Sequence, residues 1–325
     1  MMSPVIIPKP AALAFVFPGQ GSQSVGMLGE LGSEFDVVKR TFDEASQGAG
    51  ADLWLIAQQG PEDALNRTEH TQPALLAAGV AVWRVWNECG GPQPGLLAGH
   101  SLGEYAALVC AGCLSLVDAA KLVAERGILM QEAVPQGVGA MAAILGGDDA
   151  QIEQVCVEVA DGQVVAPVNY NAPGQLVIAG DTAAVDRAIA RLAELGVRKV
   201  VKLAVSVPSH CALMRGAADQ LAVRFDTIKW QAPRIPVIQN VHAQAYDSVD
   251  EIRAALAQQL YSPVRWTDSM RALGSTGVTR VAECGPGKVL TGLLKRIDRA
   301  LDGRAIGAPA DLSQAIVDWK GPTAE

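Results

Sequence analysis

Leu96-Leu97-Ala98-Gly99-His100-Ser101-Leu102-Gly103-Glu104-Tyr105 sets a G-x-S-x-G pattern between a short apolar strand and a helix. That context is what the pattern requires if its serine is to react. A sharp strand-to-helix turn needs glycine on both sides of the serine, because a Cβ there would collide with neighbouring backbone. Ser101 is then thrust out at a helix N-terminus, where the Leu102 N–H and the helix dipole can stabilise an oxyanion. A bare G-x-S-x-G is often a glycine turn with an ordinary serine. The strand before it and the helix after it are what point to a nucleophile.

Working outward, a first strand is expected at residues 14–17, ended by Pro18-Gly19-Gln20-Gly21. Leu76, Val80 and Trp83 repeat at helical spacing in a helix read from Pro73 to Glu88, and Gly90-Gly91-Pro92 stops it. Beyond the serine a helix runs from Glu104, and Asp118 is read as the cap of another that reaches Met130. From Gly137 the rhythm changes. Strands are expected at 140–145, 164–169, 175–179 and 199–205, with helices at 149–160 and after a capping Asp181. The order βαββαβ is that of a ferredoxin-like unit, with two helices on one antiparallel sheet. It is placed at 137–206 as an insertion. The chain then returns to the first body, with strands near 236–240 and 280–283.

The 325 residues suffice for one large domain plus a smaller one or for a single large α/β unit, and they are half apolar, with 33 Gly and 18 Pro, the balance of a well-packed enzyme. A net charge of −8 argues against nucleic acid as a partner. The apolar runs are broken by Gly or charge before spanning length, so no membrane is expected. MMSPVIIPKPAA is too interrupted for a signal-peptide core, and a cytoplasmic location is expected. Six cysteines are too sparse for a disulfide framework. Cys110 and Cys113 have zinc-like spacing without a second ligand pair; a buried helix face explains them, and no metal is expected.

A serine hydroxyl needs a base, and the chain has four histidines. His100 abuts the serine, where a sharp turn points its side chain away. His70 sits in the polar Glu69-His70-Thr71-Gln72, read as surface, and His242 follows a strand. His210 lies in Val205-Ser206-Val207-Pro208-Ser209-His210, where the chain re-enters the large body. A cleft between two bodies is where a base can face the serine. Position alone does not separate that role from a structural histidine. Cys211, its neighbour, is a poor rival nucleophile, since adjacent side chains seldom converge.

Taken together, FVFPGQGSQ at 15–23, TQPALL at 71–76, GHSLGEY at 99–105 and RG at 126–127 resemble the malonyl-CoA:acyl carrier protein transacylase family of bacterial fatty-acid synthesis. GAMAAI at 139–144, PVNYNAPGQ at 167–175, SVPSHCALM at 206–214, QLYSPVRW at 259–266 and GPGKVLTGL at 285–293 continue the match in family order. The resemblance implies an α/β fold: an α/β-hydrolase-like large domain at 13–136 and 207–310, with the ferredoxin-like domain at 137–206 inserted. Residues 1–12 and 311–325 are read as terminal extensions without a role.

The resemblance also implies the roles. Ser101 would be the nucleophile and His210 the base, with the backbone carbonyl of Gln259 orienting the histidine in place of a triad acid. The N–H groups of Gln20 and Leu102 would form the oxyanion hole. Arg126 would bind the malonyl carboxylate, with Gln20 and Ser209 beside it; a planar guanidinium suits a carboxylate bidentately. Malonyl-CoA would acylate the serine, CoA would leave, and an acyl carrier protein would take the malonyl group, with no cofactor. A monomer is expected. The carriers of the family are strongly acidic, so docking is expected on a local basic patch drawn from Arg198, Lys199, Lys202, Lys288, Lys295 and Arg296. The rival readings are a serine hydrolase or thioesterase using the same turn, and a malonyl transferase serving the carrier of a polyketide synthase or of malonate decarboxylase. GPGK at 285–288 misses the phosphate-loop pattern, having Ala282 and Val289 where Gly and Ser/Thr are needed.

Overall fold

The computed structural model describes residues 12–135, 137–197, 199–203 and 207–320. The chain opens with β1 (Leu13–Phe17), then α1 (Gly29–Glu34), α2 (Asp36–Ala49), α3 (Leu53–Gln59), α4 (Glu62–Leu65) and α5 (Thr68–Glu88). β2 (Leu96–Gly99), α6 (Gly103–Cys110) and α7 (Leu116–Ala133) follow. Next come β3 (Gly139–Leu145), α8 (Asp149–Val159), β4 (Val165–Ala172), β5 (Gln175–Asp181), α9 (Thr182–Glu194) and β6 (Lys199–Lys202). The last stretch holds α10 (Arg215–Phe225), β7 (Val237–Gln239), β8 (Gln244–Ala245) and α11 (Val249–Gln259). It ends in α12 (Trp266–Ser275), β9 (Arg280–Glu283), α13 (Val289–Ile297), β10 (Asp302–Ala305) and α14 (Pro309–Trp319).

Two sheets result. The larger has the order β10-β9-β1-β2-β7-β8 and is parallel except for the β7–β8 pair. β1 lies at its centre and is buried along its whole length. The two-residue period of a strand divides it between two cores. Phe15 and Phe17 pack with Leu97, Ala282 and the apolar faces of α2, α5 and α7. Ala14 and Val16 pack with Ala98, Ile238, Trp266 and Leu290 on the opposite face. A parallel sheet covered on both faces explains why LAFVF reads as an unbroken apolar run.

The smaller sheet, β4-β5-β3-β6, is antiparallel throughout. One face packs Ala142, Ile144, Leu176 and Ile178 against α8 and α9. The other presents Met141, Val168, Val177 and Ala179 to Cys211, the residue after His210. β4 is tied to the large body where Val264 exchanges backbone bonds with Val168 and Tyr170. β6 is the opposite edge, with exposed Lys199 and Lys202 at its ends.

Several local expectations need correction. α5 begins five residues before Pro73, with Thr71 and Gln72 buried inside it. A proline six residues into a helix lacks one N–H, but tertiary burial holds the turn around it. His70 is therefore within a helix and half-buried, its Nδ1 2.9 Å from the Ala64 carbonyl. Ser115, not Asp118, caps α7: its Oγ accepts the Asp118 N–H and donates to the Asp118 carboxylate. Asp181 occupies the N-cap of α9, but its side chain accepts the Val164 N–H instead. α6 ends at Cys110, so Cys113 lies beyond the helix that was to hold both thiols. β6 is described only to Lys202, and residues 204–206 lie outside the described residues. Residues 311–319, read as an extension, form most of α14 and bury Leu312, Ala315, Ile316 and Trp319 in the main core.

Candidate active site

Ser101 is carried on the turn between β2 and α6 with φ +50°, a left-handed conformation rare for residues with a Cβ. The flanking glycines make the turn possible. A Cβ on Gly99 would lie 1.9 Å from the Gly103 carbonyl carbon, and one on Gly103 would lie 2.0 Å from the Phe17 oxygen. Asn240, just after β7, clips the turn from outside. Its Oδ1 accepts the Ser101 N–H at 2.7 Å, and its Nδ2 donates to the Gly99 carbonyl at 2.6 Å.

His210 faces this turn from the loop after residue 207, also left-handed at φ +66° and held by its N–H to the Leu260 carbonyl. Its Nε2 is 2.8 Å from Ser101 Oγ, and its Nδ1 is 2.7 Å from the backbone oxygen of Gln259 at the end of α11. A carbonyl can only accept, so Nδ1 carries the proton and Nε2 presents a lone pair to the serine. Burial, with Arg126 nearby, lowers the His210 pKa from 6.5 to about 3, so the ring is neutral near pH 7.

Arg126 reaches in from α7 and is 1% exposed. Its guanidinium donates to Gln72 Oε1 at 2.8 Å and to Gln259 Oε1 at 3.1 Å, and lies 3.4 Å from Ser101 Oγ. Its Nε has no protein partner among the described residues. Gln259 thus serves twice, its main chain at His210 and its side chain at Arg126. The Gln259 Nε2 also donates to the Ser101 carbonyl at 3.0 Å and to Glu104 Oε2 at 3.1 Å.

A cavity of about 150 Å³ opens over these groups, lined among others by Gln20, Leu102, Met130, Met141, Val177 and Ser209. All seven residues singled out in the sequence therefore converge on one place. Gln20, Leu102 and Ser209 line it, while the other four form a continuous hydrogen-bond chain. The other histidines do not contact Ser101 Oγ. His100 Nε2 lies 2.8 Å from Asn171 Oδ1, and His242 Nδ1 lies 2.8 Å from the Tyr246 hydroxyl. The buried Cys211 thiol donates to the Pro208 carbonyl, and burial pushes its pKa up to about 11. A protonated, engaged thiol is a poor nucleophile. At the GPGK loop, Glu283 accepts the N–H groups of Leu290 and Thr291, so a protein carboxylate occupies the start of α13 where a phosphate would sit.

Three residues of the site escaped the sequence reading: Gln72, Asn240 and Glu104. Glu104 carried a signal, as the one charge in the apolar GEYAALVC helix. It is fully buried, and desolvation raises its carboxyl from 4.5 to about 7. No cluster of His, Cys, Asp or Glu among the described residues is arranged to hold a metal ion.

Comparison with known proteins gives the arrangement relatives. The acyl transferase domain matches residues 14–305. The chain is 55% identical over 303 residues to the malonyl CoA-acyl carrier protein transacylase of Salmonella typhimurium, covering 93% of this chain and 98% of that one. Identity to the corresponding protein of Bacillus subtilis is 43% over 309 residues, or 95% and 97% of the two chains. The fold is similar to the crystal structure of malonyl-CoA:acyl carrier protein transacylase from Xanthomonas oryzae, with TM-score 0.94, 62% identity and coverage of 95% and 98%. It is also similar, with TM-score 0.93, 54% identity and coverage of 94% and 99%, to a malonyl-transacylase solved in complex with its type II PKS acyl-carrier protein.

Proposed function

The chain belongs to the acyl transferase domain family, and on that premise we infer that it moves a malonyl group from malonyl-CoA to the phosphopantetheine thiol of an acyl carrier protein through an ester on Ser101. The observation that carries this reading is the contact of 2.8 Å between Ser101 Oγ and a neutral His210 Nε2, with a buried guanidinium in the same cavity.

Ser101 Oγ attacks the thioester carbonyl carbon as His210 Nε2 takes its proton. The tetrahedral oxyanion is met by the N–H groups of Leu102 and Gln20. Collapse breaks the C–S bond, and Nε2 returns the proton to the leaving CoA sulfur. In the second half the carrier's thiol gives its proton to Nε2 and attacks the ester, and Oγ leaves with that proton. The Gln259 carbonyl holds the ring through both halves. Arg126 receives the malonyl carboxylate, exchanging its weak contact with Ser101 Oγ for a charged one. Ser209 lines the same cavity. The reaction as written draws on no cofactor or metal.

The finer fold description belongs to the same reading. A strand–serine–helix turn at the centre of a parallel sheet covered on both faces supports an α/β-hydrolase-like large domain. The strand order and two helices of the smaller sheet support a ferredoxin-like insertion. Every group in the scheme comes from one chain, which supports a monomer as the working unit, and fatty-acid synthesis is the process served. No helix among the described residues is long and apolar enough to cross a membrane, in keeping with a cytoplasmic enzyme.

Intact mass spectrometry tests the scheme. Malonyl-CoA alone should leave one malonyl group on the protein, holo carrier protein should remove it, and Ser101→Ala should carry none. A Ser101→Ala protein that still becomes labelled places the nucleophile elsewhere. Loss of the adduct in buffer, as fast as with carrier, makes the protein a hydrolase.

A further inference from the structure

Glu104 contacts neither the serine hydroxyl nor the cavity's base, yet two chains of hydrogen bonds start from it. Its Oε2 accepts the Asn240 N–H at 2.7 Å and the Gln259 side-chain Nε2 at 3.1 Å. The first chain ends at the turn, through the Asn240 side chain on Ser101 and Gly99. The second ends at Arg126, through Gln259 Oε1. A glutamine amide has two nearly isosteric orientations, and its neighbours choose between them. Here the acceptors Glu104 Oε2 and the Ser101 carbonyl face Nε2, while the Arg126 guanidinium faces Oε1. Remove the Glu104 acceptor and one of the two anchors of Nε2 is gone.

We propose that Glu104 is the positioning residue for acyl-group selection: its Oε2 fixes the Gln259 amide so that Oε1 aims Arg126 at the malonyl carboxylate. The inference rests on the functional reading above for what Arg126 binds. The device tolerates protonation. Both neighbours of Oε2 are donors, so an added proton goes to Oε1, which has no partner among the described residues. The two accepted bonds survive. The raised pKa of this buried carboxyl is thus compatible with constant geometry through neutral pH. Glu104→Gln copies that protonated form, with its oxygen at the Oε2 position and its NH2 at the Oε1 position.

The test compares kcat/KM for malonyl-CoA and acetyl-CoA in wild type, Glu104→Ala, Glu104→Gln, Arg126→Ala and the Glu104→Ala/Arg126→Ala double variant. The ratio of the two substrates cancels any weakening of the turn, which both acyl groups share. Misaimed by about 1 Å, Arg126 should lose on the order of 100-fold toward malonyl. Glu104→Ala should therefore lower the malonyl-to-acetyl ratio, Glu104→Gln should restore it, and the double variant should match Arg126→Ala alone. Crystal structures give a readout independent of activity: the Gln259 amide should leave Arg126 in Glu104→Ala and keep its place in Glu104→Gln. If Glu104→Ala does not fold, Glu104→Asp, whose carboxylate falls short of Gln259, takes its place. A Gln259 amide that stays on Arg126 without the Glu104 acceptor overturns the proposal, as does an equal loss for both substrates that glutamine does not repair. A wild-type protein that never forms a malonyl adduct defeats the functional reading instead, and leaves the crystallographic comparison to decide on Glu104.

Discussion

At the scale of single residues the site sets a neutral histidine and polar amides around one buried cation, with the buried carboxyl of Glu104 behind them. Arg126 should behave as a selector. Its replacement by alanine removes one partner of a buried charge pair with substrate, which costs about 3 kcal/mol of transition-state binding for malonyl-CoA. Acetyl-CoA brings no carboxylate, so its kcat/KM should not fall in parallel; equal losses would make Arg126 a structural residue. His210 yields a pH prediction. Its pKa is lowered by burial from 6.5 to about 3, so Nε2 is free to accept a proton throughout pH 5–8. The rate of Ser101 acylation, followed by single-turnover mass spectrometry, should show no acid limb between pH 6 and 7. Stability has the complementary dependence. The unfolded chain takes up this proton below about 6.5 and the folded one only near 3, so His210 draws stability down as pH falls through that window and not above it.

At the scale of elements, what was legible in the sequence was what local periodicity or a tight turn dictates. The turn at Ser101 could be read because Gly99 and Gly103 flank it at fixed spacing. The small sheet could be read because its strands and helices alternate within about seventy residues. The helix start at Thr68 was missed because Pro73 looks like a beginning, and α14 was missed although Leu312, Ala315, Ile316 and Trp319 are spaced as one helical face. Glu104 and Asn240 were invisible for a different reason. Their partners lie far away in the chain, Glu104 155 residues from Gln259 and Asn240 139 residues from Ser101. No spacing rule reaches that far, and Gln259 itself was found only through resemblance. α14 supplies the prediction at this scale. Trp319 packs on Trp86 with ring centroids 6.1 Å apart, donates to Asp302 and is covered by the Arg304 guanidinium. Trp319→Ala should cost about 3 kcal/mol in a denaturant titration, on the scale of a buried tryptophan. A loss below half that would mean α14 is only loosely held.

At the scale of the molecule, an acidic protein has to meet a carrier that is itself expected to be acidic. Of the cations expected to form a docking patch, Lys199, Lys202, Lys288, Lys295 and Arg296 are exposed. Lys202 pairs with Asp186 and Arg296 donates to Gln175, while Arg198 lies outside the described residues. Arg299 extends the Lys295–Arg296 cluster along a shallow groove. Transfer to holo carrier protein should slow as salt rises, because the screening length shrinks to about 8 Å near physiological ionic strength. Transfer to free pantetheine should stay nearly flat, and a like response of both acceptors would remove the patch from docking. The lysines of β6 have a second consequence. Among the described residues β6 pairs only with β3, so one side of KVVK offers unused backbone groups, and Val201 is 46% exposed. Such a strip is a template on which another copy could add a strand and begin an aggregate. Lys199, unpaired among the described residues, puts a charge at one end of that strip, while Lys202 at the other is matched by Asp186, so each new copy would have to bring its own lysine against that of the last.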